Sequence, residues 1–212
     1  MLNTKSTCSY IIFFLLLAIP TSSYGQVQIG PSLGVIWSRY SDSSPEKYYY
    51  VVQEFKSRNY IVGATSNIHL SQKLSVQVDA DYYKTGARIV DYTADDGGHV
   101  YFDANYLRVS ILPTYRFYRN FRIAGGAYIN RILRANHHQW SGWTGRRTTF
   151  RDEEWYDTYN TGLVARLEYR LGRLALRAQY THPLQPIGPD FRARRLSTLQ
   201  TSAAFYFGKQ ID

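Results

Sequence analysis

Asp79-Ala80-Asp81 places two carboxylates two residues apart. In an extended chain both sit on one face, an arrangement that can serve hydrolysis as a general acid–base pair. The competing role is electrostatic. Arg108, Arg122, Arg166, Glu168 and Arg177 fall at polar positions of other alternating segments. Asp79 and Asp81 are therefore expected to join them in a buried network of ion pairs, with Arg108 facing the aspartates across the sheet wall. An unpaired buried ion costs several kcal/mol, so each charge there needs a partner, and no carboxylate is left over for proton transfer.

No other grouping makes a stronger case for catalysis. The histidines are His69, His99, His137, His138 and His182. His137 and His138 are adjacent and do not converge on one ion, and no cysteine or carboxylate cluster completes a metal site. His182 follows Thr181 without the serine and orienting acid of a nucleophile–base arrangement. A phosphate-cradling glycine loop is also missing. We therefore expect no enzyme, no metal and no cofactor. The richest recognition stretch is RANHHQWSGWTGRRTTFRDEEWYD (134–157), in which Trp140, Trp143 and Trp155 are interleaved with Arg146, Arg147, Arg151 and acids. Such a loop can stack on sugars or grip a protein, or it can fold over its own scaffold and pack on lipopolysaccharide.

The elements that would carry these residues show period-two alternation. LSVQVDADYYK (74–84) sets Leu74, Val76, Val78, Ala80 and Tyr82 against Ser75, Gln77, Asp79, Asp81 and Tyr83. QVQIGPSLGVIWS (26–38), YLRVSILPTYRF (106–117), FRIAGGAYIN (121–130), VARLEYRL (164–171), LALRAQY (174–180), LSTLQTSAAFYF (196–207) and, less regularly, NYIVGATSNIHL (59–70) do likewise. Alternation of this length predicts strands. Ser71-Gln72-Lys73, Tyr118-Arg119-Asn120 and Gly172-Arg173 are short enough for hairpin turns, whereas residues 39–58, 91–105, 135–158 and 183–195 are long and polar. Short and long connections alternate strictly. The expected fold is all-β: an eight-stranded antiparallel transmembrane β-barrel with short periplasmic turns and long extracellular loops.

Charge decides which parity faces inward. Of the 16 acidic residues, only Asp79, Asp81 and Glu168 lie within these segments, on the parity that also carries the arginines. An eight-stranded interior is just wide enough to be filled by side chains, so the polar row is expected inside and the apolar row against lipid. Only Lys84 and Arg131 break the apolar row, each at a strand end where its stem can lie on apolar surface and its charge reach head groups. Trp37, Tyr60, Tyr82, Tyr115, Phe117, Tyr159, Tyr169, Tyr180, Phe205 and Phe207 gather near strand ends, as interfacial girdles do. Pro113 lacks an N–H in a sheet without free edges, which predicts a bulge or a place near the turn end.

At the N-terminus, Lys5, the apolar run IIFFLLLAIP and the small residues TSSYG indicate a signal peptide over residues 1–25, leaving 26–212 as one barrel domain. The run is too short to span a bilayer as a helix. Cys8, the only cysteine, precedes it, so neither a disulfide nor a lipidated cysteine is expected in the mature chain. The formal net charge of +9 falls to +8 without Lys5. Export argues against nucleic acid as the counter-charge, which leaves anionic lipid and lipopolysaccharide in the outer membrane.

LSVQVDADYYKTGARI (74–89), NYLRVSILPTYRF (105–117), FRIAGGAYINRIL (121–133), YNTGLVARLEYRL (159–171) followed by LALRAQYTHPLQPI (174–187), and STLQTSAAFYFG (197–208) cover most of the mature chain. In order and spacing they resemble the PorT-like outer-membrane β-barrel proteins of Bacteroidetes, which carry an outer membrane protein beta-barrel domain. Arg108 and Ser110 stand where that family usually has an acidic residue and an early proline, with Pro113 coming later, so interior contacts of that strand do not carry over. The last strand resembles the barrel assembly signal through Gln200, Ser202 in place of the usual glycine, Phe205 and Phe207, although the chain runs on as GKQID; an ordinary amphipathic strand looks the same. The resemblance implies a structural or interaction role, association with type IX protein secretion, and secretion or surface proteins as partners. Three alternatives stay open: a narrow solute pore, a lipid-modifying enzyme using Asp79, Asp81 and His182, and a soluble lipocalin-like carrier with the apolar row inside.

Overall fold

The alternating segments become eight long strands: β1 Val27–Asp42, β3 Ser57–His69, β4 Leu74–Asp91, β5 His99–Tyr118, β6 Phe121–Trp140, β8 Tyr159–Leu171, β9 Leu174–Pro183 and β10 Arg194–Phe205. Two short ones, β2 Tyr50–Val51 and β7 Arg147–Arg151, join them. The computed structural model describes residues 27–42, 50–51, 57–91, 99–140, 147–151, 159–185 and 194–208; the leader expected over 1–25 lies outside them. Each long strand pairs antiparallel with the next long strand, β4 with β5 included. β1 meets β10 from Ser32↔Ala204 to Asp42↔Arg194, and an Ile29↔Phe207 bridge extends the seam. The sheet is thus a closed eight-stranded antiparallel barrel.

The tight connections fall at one end. Leu171 pairs with Leu174 across Gly172-Arg173, and Gly172 takes φ 56°, the left-handed conformation that a two-residue hairpin needs at its first central position. Arg119 adopts φ 26° at the equivalent place between Tyr118 and Phe121.

Burial alternates without a break along β9: Ala175, Arg177, Gln179 and Thr181 are buried, while Leu174, Leu176, Ala178 and Tyr180 are exposed. The contrast is large enough to fix the sidedness of the whole wall, with Arg108 at 0% exposure against 57% for Ile111 and 61% for Leu33. Polar residues fill the lumen and the apolar row faces outward. This overturns the soluble carrier, whose apolar row would have to point in.

The long polar connections are shorter than the sequence indicates. Residues 39–42, 57–58, 99–105 and 135–140 are strand, and β7 folds back on β6 from Asn136↔Arg151 to Trp140↔Arg147. β4, β5 and β6 run to 18, 20 and 20 residues, against 10 in β9 and 12 in β10. About 9–11 residues of tilted strand cross a bilayer. The excess on β4–β6 therefore stands clear of the membrane at the loop end, roughly 25 Å of extra strand at ~3.3 Å per residue, edged by β2 on β4 and β7 on β6. High β-propensity in VYFDANY (100–106), which carries Asp103, was masked in the sequence by its polar neighbours.

Of three further expectations, one holds and two change. Pro113 lies toward the turn end, two residues from the Leu74↔Tyr115 pair at the start of β4, and shifts no register; the β5–β6 ladder skips from Ile111↔Ala127 to Thr114↔Ala124 while Val76↔Pro113 holds on the other side. Pro31 opens the same two-residue gap between Ser32↔Ala204 and Ile29↔Phe207. Second, the lumen is not polar throughout: Ile36, Ile61, Tyr83, Ala104, Tyr106, Ile132, Ala135 and Leu196 form an apolar cluster at the loop end. Third, because the strands reach further, Arg39, Arg58 and Arg134 join Lys84 and Arg131 as exposed cations on the wall near that end.

An arginine in the apolar band tests the sidedness. Leu176→Arg should lower folding stability in phospholipid vesicles by about 2–4 kcal/mol, measured by reversible urea unfolding. A change below the error of the titration would place Leu176 on the wetted side.

Candidate functional site

Every residue of the predicted ionic group projects into the lumen. Asp79 and Asp81 lie on β4, Arg108 on β5, Arg122 on β6, Arg166 and Glu168 on β8, and Arg177 on β9. Alternation aims them inward, and the small cross-section of the barrel brings strands that are not neighbours into contact.

The contacts form a ring. Glu168 accepts from Arg177 Nε at 3.0 Å and from Gln77 Nε2 at 3.0 Å. Gln77 Oε1 accepts from Arg166 Nη1 at 2.9 Å, and Arg166 Nη2 donates to Asp79. Arg177 Nη1 closes the circuit 3.8 Å from Asp79. Arg170 extends it at the turn end, with Nη2 3.1 Å from Glu168, Nη1 donating to Gln28 at 2.9 Å, and its guanidinium 4.3 Å from the Tyr206 ring centroid. At the loop end Arg108 donates to Asp81 at 2.7 Å and to Gln200. Its guanidinium also lies over Tyr83, which stacks on Tyr106 at 5.3 Å. Arg108 is thus the boundary between the ionic layers and the apolar cap. Gly63 makes room for this pairing, since a Cβ there would collide with the Asp81 carboxylate and come within 2.6 Å of the Ala80 carbonyl oxygen.

Arg108 meets Asp81 and not Asp79, whose partners are Arg166 and Arg177. Each aspartate is engaged by guanidinium donors inside the lumen, Asp81 by Arg108 and Asp79 by Arg166. His182 faces outward on β9, on the opposite side of the wall, so Asp79, Asp81 and His182 do not form one constellation. His137 and His138 sit on β6, where the sequence placed them in a loop, and Trp140 ends that strand; Trp143 and Trp155 lie outside the described residues. Among the described residues no group of histidine, cysteine and carboxylate side chains could hold a metal ion. His69 instead accepts from Asn67 Nδ2 at 2.8 Å.

Sequence reasoning missed Gln28, Gln77, Gln179, Gln200, Arg170 and Tyr206 as members of the network. Their inward parity was readable, but an uncharged amide gives no sign of bridging ions, and Tyr206 looks like one more girdle aromatic.

A closed barrel with an apolar outer belt and an ion-filled lumen is the form of bacterial outer-membrane proteins, and the family described as outer membrane protein beta-barrel domain matches residues 21–188. The chain belongs to that family. Its place is the outer membrane, crossed by strands. Among solved structures, Neisserial surface protein A (NspA) is similar, at 12% identity, TM-score 0.51, covering 84% of this chain and 97% of its own. Ail, the attachment invasion locus protein of Yersinia pestis, solved with the heparin analogue sucrose octasulfate, gives 13%, 0.48, 87% and 100%. OprG from Pseudomonas aeruginosa gives 11%, 0.47, 87% and 97%. No curated protein sequence matches the chain.

Glu168 is shared by Arg170 and Arg177, with Arg122 Nη1 3.8 Å away. Glu168→Gln strands several buried cations at once and should cost about 3–5 kcal/mol of folding stability. Arg122→Gln should cost much less, because Arg122 Nε and Nη1 have no hydrogen-bond partner among the described residues. Urea titrations of the two variants giving equal losses would contradict this assignment.

Proposed function

We propose that the protein is a non-catalytic, non-conducting outer-membrane barrel whose role is to hold an extracellular sheet for partner binding, associated with type IX protein secretion as its PorT-like resemblance implies. The observation that carries this reading is the unequal strand length: β4, β5 and β6 continue well past the bilayer while β9 and β10 do not. Among the described residues β7 pairs only with β6, so its other edge offers backbone donors and acceptors to which a partner strand can add. Trp140, at the end of β6, and Trp143 and Trp155 beyond it are the proposed anchors, since buried aromatic residues dominate protein interfaces.

The lumen supports the non-conducting part. Ion-paired layers from Arg170 to Arg108 are followed by the stacked Tyr83–Tyr106 pair, a succession of charged and aromatic layers that opposes the passage of a solute. The separation of His182 from Asp79 and Asp81 by the barrel wall supports a role without catalysis.

Purified protein in planar bilayers should be silent, and discrete conductance steps would restore the pore. Replacing Asp79 and Asp81 with Asn and His182 with Gln, in a variant that heat-modifiable gel migration shows to be folded, should leave the outer-membrane lipid mass profile unchanged; an altered profile from the folded variant would argue for an enzyme. Cross-linking in intact outer membranes should recover secretion or surface proteins, with recovery lost when residues 141–158 are replaced by a short Gly-Ser turn. Repeated recovery of no secretion component would remove the secretion role and leave the barrel reading intact.

A further inference from the structure

On the outer wall at the loop end, β10 runs as a low lane between larger side chains of β1 and β9. Ser197, Leu199 and Thr201 form its floor, Trp37 and Arg39 one bank, and Tyr180 and His182 the other, around a groove of ≈ 700 Å³. The register sets its levels. Trp37, Leu199 and Tyr180 are partners in one row. Two residues nearer the loops, Arg39 pairs with Ser197. Two residues nearer the bilayer centre come Val35, Thr201 and Ala178, and then Leu33, Ala203 and Leu176. Arg58 lies over the far face of the Trp37 side, 6.0 Å from its ring centroid.

The groove is therefore graded along its length: a small-residue apolar lane at depth, an aromatic pair at the level where tryptophan and tyrosine mark the membrane interface, and a guanidinium with an imidazole above them. One strand step of two residues is ~6.6 Å along the strand, so the cation Arg39 stands one step beyond the interfacial aromatics, toward the head groups. Cationic pockets at that depth recognise phosphorylated lipids, and Arg matches phosphate oxygens with paired donors. Because the long connections face the cell exterior, the leaflet at this level is the outer one, whose anionic amphiphile is the phosphorylated glycolipid lipid A.

We propose that this groove is a binding site for one lipid A molecule. Arg39 and His182 donate to a phosphate, Trp37 and Tyr180 flank the sugar it is attached to, and an acyl chain lies along Thr201 and Ala203. The site needs the outer-membrane placement and the outward orientation of the loops, and it is independent of the secretion role.

Native mass spectrometry of the folded protein, released from detergent with bis-phosphorylated lipid A, with its dephosphorylated form, or with phosphatidylglycerol, tests the assignment. Wild type should retain one bis-phosphorylated lipid A. Arg39→Gln combined with His182→Gln should weaken retention by about tenfold or more, as loss of charge-assisted hydrogen bonds predicts, and dephosphorylated lipid A should lose it equally. Thr201→Trp, which fills the lane and leaves Arg39 and His182 in place, should do the same. Heat-modifiable gel migration reports that each variant is folded. Equal retention by the variants, or equal retention of phosphatidylglycerol, would overturn the proposal and leave ordinary annular lipid. Labelling of whole cells with an impermeant maleimide at Gln185→Cys but not at Lys73→Cys confirms the orientation; the reverse pattern would overturn the site through its leaflet while sparing the lipid chemistry.

Discussion

Hydrocarbon offers no water to a backbone N–H or C=O, so each strand that crosses it must find two neighbours. Closure of β1 on β10 meets that demand here, and the two-fold period of the side chains then becomes a division between lumen and lipid. The prolines show how strict the demand is. Pro31 and Pro113 each remove a donor, and at each the ladder on one side opens by two residues without losing register. Glycine stands at both gaps: a Cβ on Gly30 would collide with the Phe205 carbonyl oxygen, and one on Gly126 with that of Ile111. The backbones close in where a side chain would have held them apart.

Once the wall is closed, the lumen has to be filled, and its contents are unevenly distributed. Among the described residues five buried arginines share three buried carboxylates, so amides and tyrosines complete the coordination. Gln77 both donates to Glu168 and accepts from Arg166, while Tyr206 takes cations from Arg170 and Arg177 on its ring. These contacts join β4 to β8 and β9 across the lumen, where the hydrogen-bonded ladder cannot reach. The ionic layers thus brace the barrel against flattening. Toward the loop end the described lumen turns to Ile36, Ile61, Ile132 and Leu196. Arg108 stands where the described ionic layers meet this cluster, and its guanidinium lies over the Tyr83 ring.

Much of this was legible from residues alone, and the reason is geometric. Alternation in LSVQVDADYYK or LALRAQY specifies a face without any knowledge of the partner strand, and Gly172-Arg173 specifies a turn. The partner of each charge was harder to read. Asp79 and Asp81 share a parity, but which arginine each meets depends on tilt and on the rise from one layer to the next, and neither is written locally. The strand ends were misjudged for a different reason. Above the membrane a strand needs no lipid-facing apolar row, and the sequence NHHQW (136–140) carries none, although it is strand. The patterning of Ile61 and Ile36, apolar on the inward parity, was visible but looked like noise against a polar lumen.

The overhang of β4, β5 and β6 requires the sheet to leave the curvature of the barrel where the bilayer ends, and the chain has a device at that depth. Between Tyr106↔Ile132 and Asn105↔Arg134 the register shifts, which leaves Leu133 as an extra residue on β6. A bulge of this kind bends its strand and increases its twist. It falls just beyond Arg131, whose guanidinium lies over the Tyr159 ring, and level with the Lys84–Asp103 ion pair on the neighbouring strands. Leu133 and Arg134 are consecutive and both exposed, so the division between lumen and lipid that rules the strand below is broken there. The same residues that mark the head-group level on the outer wall therefore mark the place where the transmembrane pattern stops constraining the sequence and the projecting sheet takes its own direction.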